Sequence, residues 1–326
     1  MSTISKAIFY SLLLTSKVLV ADGWEYPENL GDTLIGNDPL ATQYTYAVEE
    51  ETLLDVARTY DMGQNEILLA NPGVDRWLPG NGSKIKVSIG YLLPDTDHDG
   101  VVLNLAEYRL YYYPEKKFGD RRKVITHPIS IGRVDWDTPL GDTTIIAKNE
   151  NPVWRPPQSI KDEHAAEGDI LPDVFPAGPD NPLGLYALRL GVPGYLIHST
   201  NKPYGVGMRV SHGCIRMYPE DIEKIFPKIK VGTKVHIVNQ AIKVGWSNNE
   251  LYIEIHPNLD DKKDSYNDKL STALNLIEKA NNNQMLIIKG NVLKQALKRS
   301  DGIPVSIATR KILPDAEASS RNKAIH

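Results

Sequence analysis

The residues with the most chemistry in this chain lie in Ser211-His212-Gly213-Cys214-Ile215-Arg216, around the single cysteine. A thiolate is a strong nucleophile, but a free thiol has a pKa of about 8.5 and needs a base or positive potential to ionise near neutrality. Two histidines stand near it in sequence. His212 is two residues before Cys214, and on an extended segment such residues share a face. His198 ends the apolar run Tyr195-Leu196-Ile197 and can reach across from a neighbouring strand. Gly207 and Gly213 permit a close backbone approach, which suits an oxyanion hole made of main-chain N–H groups. The chemistry this set supports is acyl transfer through a thioester. Two other readings use the same residues. A lone cysteine serves as a small buried hydrophobe in many proteins, and His198, His212 and Cys214 would suffice for a three-ligand zinc site.

The elements that must carry these residues read as mainly β. With 326 residues the chain has room for two or three domains. Its 41% hydrophobic and 24% charged content is that of a globular protein. One cysteine excludes an internal disulfide and a Cys-rich metal site. A net charge of −4 with no basic block excludes nucleic acid as the expected partner. From residue 99 to 239, short strand signals such as Val124–Ile131, Thr143–Ala147, Tyr195–His198 and Lys234–Val238 predict a β-sandwich or barrel. The one helix expected there is Pro219–Phe226. Residues 151–181 are dense in proline and predict a long irregular loop, of the kind that carries function.

Two further units flank this one. Residues 43–89 read as strand, helix, helix, strand, with Leu53, Val56, Ala57 and Tyr60 on one helical face. Residues 240–326 predict a small α/β accessory domain of unreadable chemistry, with helices near 267–280 and 292–299. Asp95-Thr96-Asp97-His98-Asp99-Gly100 begins like a calcium loop, but the twelfth position is Ala106 where a bidentate acid is required, so a polar turn is expected. At the N-terminus, Lys6 precedes the apolar run Ala7–Leu14, which leads to Leu19-Val20-Ala21. That pattern predicts a signal peptide over residues 1–21, too short to span a bilayer. The chain is expected to be exported to the periplasm, without stable membrane insertion. A free thiol sent to an oxidising compartment needs a reason to exist.

The run His198-Ser199-Thr200-Asn201-Lys202-Pro203-Tyr204-Gly205-Val206-Gly207-Met208-Arg209-Val210-Ser211-His212-Gly213-Cys214-Ile215-Arg216 closely resembles the active-site motif of the L,D-transpeptidase (YkuD) family. Ser130-Ile131-Gly132-Arg133, Asp135–Gly141, Asn151-Pro152-Val153-Trp154 and Pro176–Gly184 resemble its periplasmic branch. The βααβ segment, with Asn71-Pro72 and Leu78-Pro79-Gly80, resembles a LysM glycan-binding module, although Val87-Ser88 stands where that module closes on Ile-Pro. The resemblance implies a YkuD-like catalytic fold and a set of roles. Cys214 is the nucleophile, His198 the general base, and the Ser199 carbonyl orients the imidazole. His212 and Gly213 shape the oxyanion region, Arg216 meets a substrate carboxylate, and Tyr204 and Trp154 contact substrate. It also implies peptidoglycan stem peptides and glycan as partners, a lipoprotein as a second acceptor, carbapenem sensitivity, and no metal or other cofactor. Papain-like endopeptidases, the competing enzyme class, place the cysteine before the histidine, whereas here His198 comes first.

Overall fold

The computed structural model describes residues 24–26, 33–36, 43–88, 90–116, 122–259, 264–281 and 285–311. The expected signal peptide at 1–21 lies outside them. In chain order the elements begin with β1 (Trp24–Tyr26), β2 (Leu34–Gly36), β3 (Gln43–Tyr46), α1 (Leu53–Thr59), α2 (Gln64–Ala70), β4 (Lys84–Val87) and β5 (Gly90–Leu92). The central unit follows with β6 (Gly100–Asn104), β7 (Arg109–Tyr113), β8 (Arg122–Gly132), β9 (Gly141–Glu150), α3 (Gln158–Ala166), β10 (Tyr186–Leu190), β11 (Leu196–His198), β12 (Arg209–Ser211), β13 (Ile215–Met217), α4 (Pro219–Ile225) and β14 (Lys234–Val238). The last unit holds β15 (Ile242–Ser247), β16 (Glu250–Ile255), α5 (Tyr266–Asn281), β17 (Leu286–Ile288), α6 (Gly290–Arg299) and β18 (Val305–Arg310).

The central strands run in the order β8-β13-β11-β10-β9-β14-β6-β7, and β7 pairs back onto β8. The expected sandwich is therefore joined along an edge into a hydrogen-bonded circuit. β8 makes this closure possible because it spans 11 residues. Its middle pairs with β7 through Ile125–Pro128 and its later part with β13 through Ile129 and Ser130, while β12 takes its end. Alternation along β6 and β7 feeds two cores, since successive side chains point to opposite faces. Val101, Leu103, Leu110 and Tyr112 enter the main core; Val102, Tyr111 and Tyr113 enter a second one against Tyr91 and Leu93.

The proline-rich stretch departs from the sequence expectation, for it contains a helix, α3. Proline is tolerated where a helix starts because that N–H has no partner anyway. Pro156 and Pro157 therefore lead into α3, and the proline-free residues that follow bury Ile160. A bridge between Trp154 and Phe175 closes this strap at its base.

In the C-terminal unit, a sheet ordered β15-β16-β18-β17 packs α5 and α6 on one face, through Ala273, Ile277, Leu293 and Leu297. Its other face carries Lys243, Gly245 and Glu254 toward the rest of the molecule. Lys243 Nζ lies 2.6 Å from Glu107 Oε2, 2.8 Å from Glu254 Oε1 and 2.6 Å from the Leu92 carbonyl. His256 closes the cluster at 2.7 Å from Glu254. All four side chains are buried. Burial alone would push the Glu254 carboxyl up, but the Lys243 charge and His256 hold it at about 2. Removing one partner of a buried ion pair strands the other charge, at a cost of about 3–5 kcal/mol. Lys243→Ala should lose stability on that scale in a urea denaturation curve, and Glu107→Gln combined with it should recover part of the loss.

Candidate active site

The catalytic candidates are brought together by the pairing of β11 with β13. These strands are parallel neighbours, with Ile197 opposite Ile215 and His198 opposite Arg216. Ile197 and Ile215 point into the main core. By alternation His198 and Arg216 stand on the other face, and Cys214, one step before β13, shares that side. Gly213 has φ +94°, and a Cβ there would stand 2.6 Å from the Tyr195 ring. Thr138 bonds the same turn, donating to the Gly213 carbonyl at 2.9 Å. Glycine is thus required where the backbone bends under an aromatic ring.

The His198 imidazole is buried, with Nδ1 2.6 Å from the Ser199 carbonyl. A carbonyl only accepts, so Nδ1 carries the proton, and the Leu183 carbonyl also acts on the imidazole. Burial, and then the charge of Arg216, pull the imidazole down to about 3. Burial pushes the Cys214 thiol up, opposed in part by the Leu196 N–H and by Arg216. The thiol donates to the Gly194 carbonyl at 3.6 Å. Among the described residues no hydrogen bond joins Cys214 to His198. Both shifts favour the uncharged resting forms, a thiol at Cys214 and an imidazole at His198.

Arg216 is the unbalanced member. Its Nε is buried without a partner, and among the described residues its guanidinium makes no hydrogen bond or ion pair. Burial lowers its pKa from the ordinary value, which reflects the strain of a desolvated charge. An anion placed against it would relieve that strain.

His212 is held elsewhere. Its Nε2 lies 2.9 Å from Glu163 Oε2, and its ring meets Trp136 edge-on at 5.1 Å. Glu163 belongs to α3 and also pairs with Arg133, which holds the carboxyl below its usual range. The strap is thereby fastened to the segment before Cys214. Glu163 was absent from the sequence-predicted site, since it lies 49 residues from His212 in a region without an evident pattern. Ser199 contributes its carbonyl, while its hydroxyl is buried without a hydrogen-bond partner. Tyr204 is 56% exposed, and Trp154 is half-buried against Phe175. Neither has a ring contact or hydrogen bond to Cys214 or His198. The zinc reading fares poorly, because the places among the described residues where three ligand atoms converge are Asp61–His127–Asp221 and Glu107–Glu254–His256.

A family model for the L,D-transpeptidase catalytic domain, YkuD, matches residues 98–237. That span holds His198, Cys214, Arg216 and Glu163. Over nearly its whole length the chain is also similar to a protein of Escherichia coli (strain K12) named probable L,D-transpeptidase YcfS. The two are 37% identical over 301 residues, 90% of this chain and 91% of that one. The chain belongs to the YkuD family of L,D-transpeptidases. It is accordingly an enzyme. Two other Escherichia coli K12 proteins extend the likeness. One, named probable L,D-transpeptidase YbiS, is 39% identical over 77% of this chain and 81% of its own. The other, named probable L,D-transpeptidase ErfK/SrfK, is 36% identical over 92% of this chain and 95% of its own.

The neutral resting pair makes a prediction for this L,D-transpeptidase. Because Cys214 is the single cysteine, iodoacetamide reports on it alone. The alkylation rate should keep climbing with pH through and beyond the ordinary thiol pKa of about 8.5. A rate already at plateau by neutral pH would mean a preformed thiolate.

Proposed function

We propose that this L,D-transpeptidase acts on peptidoglycan tetrapeptide stems through a Cys214 thioester. The observation that carries the reading is the register of β11 on β13, which sets His198 opposite the unpartnered cation of Arg216 with Cys214 one step before β13. In the first step His198 Nε2 takes the thiol proton while sulfur attacks the carbonyl of the third stem residue, diaminopimelate. The C–S bond forms, the bond to the terminal D-alanine nitrogen breaks, and that nitrogen leaves with the proton from His198. In the second step an amine attacks the thioester, gives its proton to His198, and the sulfur departs to be reprotonated. Main-chain N–H groups near Gly213 and Cys214 would hold the oxyanion.

Arg216 is the partner for a stem carboxylate, and two parallel N–H bonds would orient it. The amine of a second diaminopimelate gives a 3→3 cross-link, and a lipoprotein lysine gives a wall-anchored lipoprotein. Water in the same place gives an L,D-carboxypeptidase. The βααβ segment is proposed as a LysM-like glycan-binding module, with Trp77 and Leu78, 55% and 81% exposed, offering an apolar surface to a sugar. Export to the periplasm is proposed from the sequence of residues 1–21. Among the described residues no helix is long and apolar enough to cross a membrane.

Incubation with tetrapeptide-rich sacculi, followed by mass spectrometry of muropeptides, tests the reading. Diaminopimelate–diaminopimelate dimers are expected, and Cys214→Ala should abolish them. Tripeptides alone would make the enzyme a carboxypeptidase, and unchanged muropeptides would refute both. His198→Ala should lower kcat by about 10²–10⁴-fold, the usual contribution of a general base. Arg216→Ala should raise KM about tenfold to a hundredfold, the worth of a charged hydrogen bond, with Arg216→Lys in between.

A further inference from the structure

The sequence sets residues 43–89 apart as a module, yet the start of α2 is completed by the catalytic unit. The first N–H groups of a helix have no partner within it. Here those of Gln64 and Asn65 donate to the carbonyls of Val206 and Gly207, at 2.9 and 3.2 Å. Both acceptors lie in the segment that joins His198 to Cys214. The backbones touch at this point. A Cβ built on Gly63 would stand 2.8 Å from the Cα of Gly207, and one built on Gly207 would stand 2.3 Å from the Gln64 nitrogen. Only glycine on both sides allows that approach.

Each side of the contact is held. Arg109 on β7, 1% exposed, donates to the Asp61 carbonyl and to the Glu66 carboxylate, both at 2.8 Å, and covers the Tyr91 ring. The Asp61 carboxylate meets His127 on β8 at 3.1 Å, and the Tyr218 hydroxyl donates to the Met62 carbonyl at 3.2 Å. From the other side β8 grips the same segment. Ser130 Oγ donates to the Gly205 carbonyl at 2.7 Å, the Gly207 N–H to Ile129 at 3.2 Å, and the Ile131 N–H to Met208 at 3.0 Å. The Val206–Gly207 turn is thus clamped between β8 and α2, and the chain runs from it through β12 to Cys214.

We propose that Gly63 is a positioning residue of the active site. The start of α2 fixes the Val206–Gly207 turn, and through it the placement of Ser211–Cys214 against His198. The βααβ module then forms part of the catalytic scaffold, beyond any glycan it holds. This rests on the reading of Cys214 as the nucleophile. Placement matters at this level because a shift of about 1 Å can cost about 10²-fold in rate.

Gly63→Ala isolates the contact. Gly63 has φ −82° and ψ 162°, a conformation alanine adopts freely, so the added methyl is the sole change. The probe is a carbapenem, small enough to acylate the thiol without engaging the module, with acylation followed by intact-protein mass. The acylation rate and the kcat for tetrapeptide stems should fall at least about tenfold. KM for the stem and the affinity for an N-acetylglucosamine oligomer should stay unchanged. A folded variant acylated at the wild-type rate overturns the proposal. If Gly63→Ala does not fold, hydrogen exchange on the wild type decides. The Gln64 and Asn65 amides should open together with β8, and exchange as fast as in a free helix end overturns it. A wild-type protein inert to carbapenem and stem alike refutes the thioester reading, and the exchange measurement still decides the contact.

Discussion

Burying a charge is costly unless its partners come with it, and this molecule is organised around two places where that condition is met. Lys243 reaches from the last sheet into a pocket of acceptors made by Glu107, Glu254 and the Leu92 carbonyl. Arg109 does the same between the central unit and the βααβ module, where it meets Asp61 and Glu66. If one unit swung away, each buried cation would lose acceptors supplied by that unit. These ionic seams run between the units, alongside apolar contacts such as Ile303 against the βααβ core. The three units are thus tied together around the strands that carry the candidate site.

Within that arrangement, β8 does the geometric work. It pairs in turn with β1, β7, β13 and β12, so residues distant in sequence converge on one strand. The parallel pairing of β11 and β13 then sets His198 and Arg216 side by side, with the sulfur one step away. A parallel neighbour must be reached by a crossover, and here the crossover is the segment 199–214 itself. The loop that links His198 to Cys214 is therefore gripped by β8 on one side and α2 on the other.

The sequence made the chemistry legible because it is local. Cys214, His212 and His198 fall within one short run, and the strands around them have periodic apolar residues. The helices of the βααβ segment and of the C-terminal unit are equally readable, since Leu53, Val56 and Ala57 or Leu270 and Ile277 recur at helical spacing, although Leu274, expected on the same face, is exposed. What escaped was non-local. The prolines at 156 and 157 argued against regular structure, yet they open a helix. Glu163 gains meaning from His212, 49 residues away, and Lys243 from Leu92, 151 residues away. No window of sequence contains either pair. The closure of the sheet is hidden for the same reason, since it depends on how far β8 bends across its neighbours.

The hydrogen bond that the Cys214 thiol donates to the Gly194 carbonyl bears on the lifetime of the enzyme. A thiol kept protonated by burial is a poor target for peroxides and for disulfide exchange, both of which act on the thiolate. An enzyme with one cysteine has no resolving thiol to rescue it once that sulfur is oxidised. The environment that disfavours the thiolate of Cys214 therefore also shelters its sulfur chemically.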